Sequence, residues 1–115
     1  MNNIIQTKSY EFALDVISET RKMKYDPFMA SMLSQLVRSS TSVGANAEEA
    51  IAGSSKRDFA NKMSIAHKEA RESNYWLRLM KDSKLLDASS SEKLIARSEE
   101  LIKILFSIVR TSKTN

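Results

Sequence analysis

Only three of the 115 residues, Gly44, Gly53 and Pro27, are of the kinds that readily break a helix. A β-sandwich or barrel needs frequent turns, and the residues that make tight turns are missing. Long helices are the expectation. A chain of this length forms one domain, residues 1–115, with a core that is adequate but thin. Cysteine is absent. That excludes a disulfide framework and thiolate metal sites, and it fits a reducing, cytoplasmic setting. Met1 to Thr7 lacks the basic start and apolar core of a signal peptide. No stretch approaches the roughly 18 apolar residues that span a bilayer, so no membrane partner is expected.

Punctuation divides the chain into four helices, expected at about 8–24, 27–52, 55–82 and 89–111. Tyr10, Ala13, Leu14 and Ile17, with Phe12 and Val16 beside them, give the first an apolar stripe. Arg21, Lys22 and Lys24 suit the negative end of its dipole. Asp26-Pro27 is a strong start signal for the second: aspartate caps free N–H groups, and proline loses nothing at the first helical position. Leu33, Leu36, Ser40, Val43, Ala47 and Ala50 then repeat in steps of three and four. The stripe tapers to small residues, which let a neighbouring helix come close. Gly53 ends the run and Ser54-Ser55 follow. Ser55 is the expected cap of the third helix, with Asp58 as the acidic half of a capping box. Phe59, Met63, Ala66, Ala70, Leu77 and Met80 form its core stripe. Ser89 and Glu92 are expected to box the start of the fourth. Four long helices on short loops predict an all-α, antiparallel up-and-down four-helix bundle. The ends, Met1–Thr7 and Ser112–Asn115, are expected to fray.

The fourth helix carries two apolar stripes. Leu94, Ser98, Leu101, Leu105 and Ile108 form one; Ile95, Ile102, Phe106 and Val109 form the other, about 100° round the helix. One can face the core. The other either meets a second copy of the chain or is buried because the helix sits centrally; the homo-oligomer is the favoured expectation.

Catalytic chemistry finds little support. His67 is the single histidine, and it falls with Ser64, Arg71, Asn74 and Arg78 away from the core stripe. A carboxylate-bridged metal pair in a helical bundle needs Glu-x-x-His motifs, but Ser64 stands three before His67. Glu49, Glu69 and Glu72 are better suited to salt bridges with Lys62, Arg38 or Lys68 than to a metal. Neither glycine belongs to a phosphate-binding loop. No enzyme, cofactor or metal is expected.

Charge is uneven. Ser55 to Asp82 holds seven basic and four acidic residues, a local net charge of +3 in a chain of net +4. Arg57, Lys68, Arg71 and Arg78 are the candidate phosphate contacts, with affinity that falls as salt rises. Tyr75 lies beside them, able to stack on a base. The ordinary alternative is a solvated face with ion pairs such as Lys68–Glu72. A second polar set comprises Gln35, Ser39, Ser42, Asn46 and Glu49 on the second helix and Lys62, Glu69, Glu72 and Trp76 on the third. Half-buried polar groups must find partners, so this set, with Arg38, is expected to be a structural seam rather than a functional groove.

The run from Gln35 to Ala50, with Gln35-Leu36, Arg38-Ser39, Ser42-Val43, Asn46 and Glu49-Ala50, resembles the signature of the bacterial four-helix bundle proteins, also called 23S rRNA intervening-sequence proteins. Ser55, Asp58, Phe59, Lys62, Ala66, Lys68-Glu69-Ala70, Glu72 and Tyr75-Trp76-Leu77 continue the likeness. The resemblance implies an antiparallel four-helix bundle assembled as a ring, in several relatives a homopentamer. Some members are encoded inside insertions in ribosomal RNA genes. A related branch, the accessory proteins of diversity-generating retroelements, implies a basic pentameric barrel that binds nucleic acid and a reverse transcriptase. No catalytic residue carries over. The expectation is thus a non-enzymatic oligomer that binds RNA or DNA through helix 3. The alternative is a scaffold for a protein partner with no nucleic-acid contact.

Overall fold

The computed structural model describes residues 3–53 and 55–113. Met1, Asn2, Thr114 and Asn115, expected as loose ends, lie outside the described residues, as does Ser54. The described residues form four helices and no strand: α1 (Ile4–Arg21), α2 (Pro27–Ala52), α3 (Lys56–Asp82) and α4 (Ala88–Lys113). They pack into a body of 46 × 23 × 20 Å, its long axis about that of the 27-residue α3.

Two starts follow the sequence signals. Asp26 accepts from the Phe28 N–H at 2.9 Å, with Pro27 as the first residue of α2. Ser55 accepts from the Asp58 N–H at 3.0 Å. The other two differ from expectation. α1 begins at Ile4 rather than Lys8, because Asn3 Oδ1 accepts from the N–H groups of Ile5 and Gln6. The stretch to Thr7 is therefore helical, and Ile5 is fully buried. α4 begins at Ala88, one residue ahead of the Ser89–Glu92 box, because Asp87 Oδ2 accepts from the Ser90 N–H at 2.9 Å. That bond holds the Asp87 carboxyl below its usual range. Glu92, the expected partner in the box, instead reaches Lys81 on α3 at 3.3 Å.

α3 ends in a Schellman turn, Lys84 N–H to Lys81 C=O and Leu85 N–H to Met80 C=O. Lys84 takes the left-handed conformation there, at φ 64°, where glycine is the usual occupant.

The core is built from one stripe per helix. On α2 it contains Leu36, Ser40, Val43, Ala47 and Ala50, and on α3 Met63, Ala66, Ala70, Leu77 and Met80. On α4, Leu94, Ser98, Leu101 and Leu105 face inward. α1 departs from the expected stripe: Ile5, Ser9, Phe12 and Val16 are buried, while Tyr10 and Leu14 are exposed. The buried face passes through a serine, so the hydrophobic pattern alone misplaces it. The Ser9 hydroxyl donates to the Gln6 carbonyl, and its small size admits a close crossing. A Cβ on Gly44 of α2 would lie 3.3 Å from Ser9 Oγ. Each large side chain buried fully stabilises the fold by about 1.5–3 kcal/mol.

Paired groups run in opposed order. Arg38 and Glu49 of α2 meet Glu72 and Lys62 of α3, and His67 and Lys81 of α3 meet Phe106 and Glu92 of α4. Lys8 and Asp15 of α1 meet Glu100 and Arg97 of α4. α1 and α3 each pack against both α2 and α4.

Candidate functional site

Two surfaces of α3 hold the residues singled out from the sequence. The first faces α2. Arg38 donates from Nη1 to Glu69 Oε2 at 3.3 Å and from Nη2 to Glu72 Oε2. Its charge is reinforced by Glu69 and then Glu72, which raise its pKa. Lys62 pairs with Glu49 at 3.3 Å, and Trp76 Nε1 donates to Glu72 Oε2 at 3.4 Å. Deeper in, the Ser73 hydroxyl donates to Ser39 Oγ at 2.9 Å, both residues being fully buried. Ser42 donates to the Arg38 carbonyl, and the Asn46 amide to the Ser42 carbonyl. Glu69 Oε1 is buried and lies 3.3 Å from Arg38 Nη1, but out of hydrogen-bond alignment. A buried carboxylate satisfied on one oxygen alone depends heavily on that one guanidinium. The surface is a set of internal pairings between α2 and α3.

The second surface is a groove between α3 and α4. One stretch, of about 610 Å³, is lined by Lys68, Arg71, Tyr75, Arg78 and Ile102 among others. Another, of about 420 Å³, shares His67, Arg71 and Ile102 with it and adds Lys103 and Phe106. Three of the four candidate phosphate contacts thus come together. Arg57 does not join them: it is exposed at the start of α3, about 16 Å along the helix from Lys68 at 1.5 Å per residue. Among the described residues no carboxylate forms an ion pair with Lys68, Arg71 or Arg78, so the Lys68–Glu72 pair is not made. Glu72 lines the groove but turns to Arg38. Arg78 sits over the Tyr75 ring at 6.0 Å.

Two residues of the second apolar stripe of α4, Ile102 and Phe106, line the same groove. Ile95, Ile102 and Val109 are half-buried against the chain's own core, and Phe106 is 53% exposed. His67 lies against Phe106, ring centroids 6.1 Å apart, and Arg110 sits over the other ring at 5.6 Å. Burial, and secondly Arg71, lower the His67 pKa. Sequence reasoning missed Lys103 and Arg110. Their spacing about Phe106, three before and four after, is the signal that places all three on one helical flank. Among the described residues no group of three or more histidines and carboxylates is placed to hold a metal, and no helix is long and apolar enough to cross a membrane.

Four helices, an internally paired seam and an open basic groove define a small all-α protein. The model of the 23S rRNA-intervening sequence protein family matches residues 1–107, and the chain belongs to that family. The chain is also similar to a crystal structure from Bacteroides thetaiotaomicron, a protein of unknown function from the S23 ribosomal protein family. The TM-score is 0.81 at 36% identity, covering 91% of this chain and 97% of that one. No curated protein matches it.

Proposed function

We propose that this protein is a non-catalytic, oligomeric helical-bundle protein that binds RNA or DNA through the basic flank of α3. The observation that carries the reading is the gathering of Lys68, Arg71 and Arg78 in one groove without carboxylate ion-pair partners among the described residues. Unneutralised cations in a recess attract phosphates and release counterions on binding. The family's association with ribosomal RNA genes agrees with it. His67 lies against the Phe106 ring and near the Arg71 guanidinium. A mobility-shift titration tests the reading. Retention at low salt that weakens as salt rises is expected; no retention of RNA or DNA overturns it.

Each subunit is read as an antiparallel up-and-down bundle, supported by the opposed order of the cross-helix pairs. The subunits are read as a homo-oligomeric ring, five-membered by family likeness. The proposed contact surface is the second α4 stripe, Ile95, Ile102, Phe106 and Val109, of which Phe106 is the most exposed, and Ile4, Tyr10 and Leu14 of α1 add exposed apolar surface that supports oligomerisation. Light scattering checks this, and a monomeric mass overturns it.

One observation favours the scaffold alternative. Tyr25 and Phe28 at the α1–α2 turn are 75% and 88% exposed, two large rings presented to solvent. Recovery of a specific protein partner through this turn, with no nucleic acid present, is the result that would establish it.

A further inference from the structure

We infer that the α3–α4 groove takes single-stranded rather than duplex nucleic acid, with bases stacking on two ring–guanidinium pairs, Tyr75–Arg78 and Phe106–Arg110. The inference rests on the nucleic-acid reading above and names its strand class.

Both rings are about half exposed, Tyr75 at 50% and Phe106 at 53%, and both border the same recess. Each already carries a guanidinium over it, at 6.0 Å for Tyr75 and 5.6 Å for Phe106. Aromatic rings and guanidinium planes are the two surfaces on which unpaired bases stack. Phe106 lies against His67, which is eight residues from Tyr75 on α3, so the two platforms are about 12 Å apart along that helix. Lys68 and Arg71 lie between them, where the connecting phosphates would run.

Duplex fits this surface poorly. In a duplex both faces of each base are covered by neighbours, and the platforms have nothing to receive. The groove is a recess between two helices rather than a projecting element that could enter a duplex groove. Its two stretches, about 610 and 420 Å³, are of the size that accepts single small ring systems. The amide that lines the groove, Asn74, is held by the protein itself, donating to Ser98 Oγ at 3.0 Å and accepting from Arg78 Nε at 2.8 Å. Recognition through stacking and phosphate charge is tolerant of sequence.

The test is fluorescence anisotropy with a labelled oligothymidylate and a labelled duplex of equal charge. The single strand is expected to bind at least about tenfold tighter. Tyr75→Ala and Phe106→Ala should each weaken the single strand by roughly 5- to 100-fold while leaving duplex binding and the salt slope unchanged. Phe106→Leu keeps apolar bulk but removes the ring, and it should fall with Phe106→Ala. Equal affinity for both probes, or equal loss for both in the ring variants, overturns the inference and leaves the nucleic-acid reading standing. Retention of neither probe overturns both. A Phe106→Ala variant that drops in mass by light scattering at unchanged affinity assigns Phe106 to a subunit contact, and that also overturns the inference.

Discussion

Helix α3 offers charged residues to both of its neighbours, and the two sides end in opposite states. Toward α2, the α3 carboxylates Glu69 and Glu72 share the Arg38 guanidinium, while Lys62 meets Glu49. Toward α4, Lys68, Arg71 and Arg78 line the groove with Ile102 and Phe106, and Arg78 donates to Asn74 of its own helix. The α3 residues themselves differ between the sides, two carboxylates and Lys62 toward α2 and three cations toward α4. The facing helix adds to the difference: α2 supplies the counter-charges Arg38 and Glu49, whereas α4, apart from Glu92 on Lys81, supplies apolar surface and two more cations at the groove, Lys103 and Arg110. A charge that finds its partner inside the fold stabilises the fold and is lost to ligands. A charge left facing apolar groups costs little in water and remains available to phosphate.

The comparison breaks most readily at the groove. Neutralising Lys68, Arg71 and Arg78 together to Ala is expected to weaken nucleic-acid binding by at least about tenfold and to reduce the salt slope by about 2, at roughly 0.7 per phosphate contact on a single strand. Each substitution is on the surface and should leave stability within about 0.5 kcal/mol; urea unfolding beside the binding titration checks both halves. A large loss of stability would make the groove a second structural seam.

Arg38→Ala should do the reverse. It leaves Glu69, buried with one oxygen already unpaired, without its cation. About 2 kcal/mol of stability should be lost, with binding of the folded protein unchanged. A loss of affinity instead would place the α2–α3 surface in the function.

Ser39→Ala probes the same seam more gently. It removes the acceptor for the buried Ser73 hydroxyl, which keeps the Glu69 carbonyl as its partner. About 1 kcal/mol is expected, read from the urea midpoint.

The smallest effect is in pH. Burial holds the folded His67 pKa below its ordinary value of 6.5. As pH falls, the unfolded chain binds the proton first. The histidine's contribution is therefore present above about 6.5 and lost below it. The urea midpoint of the wild type should fall more between about pH 7.5 and about pH 5.5 than that of His67→Gln. Equal falls would mean that the contact with Phe106 and Arg71 does not bury His67 in solution.

Much of the fold was legible. Pro27, Gly53 and Ser55 punctuate the chain where helices begin and end, and the stripes of α2, α3 and α4 are the ones buried. The α1 stripe was misread because Ser9 occupies a core position. Serine counts as polar in a pattern, but in a helix its hydroxyl can bond its own backbone and be buried beside Gly44. The start of α4 differs by one residue because Asp87 and Ser89 are both good caps and it is Asp87 that accepts from the Ser90 N–H.

The candidate sites divide along the same line. Which residues are charged, and that they share helical flanks, follows from spacing at 3.6 residues per turn, a property of one helix at a time. That Arg38 would take both Glu69 and Glu72, that Lys68 would lose Glu72 to it, and that Phe106 would come against His67 depend on which helix packs beside which and at what height. Those are relations between residues 31 to 39 positions apart in the chain. Local periodicity carries no information about them, and packing decides them by bringing one counter-charge within reach and leaving another cation without one.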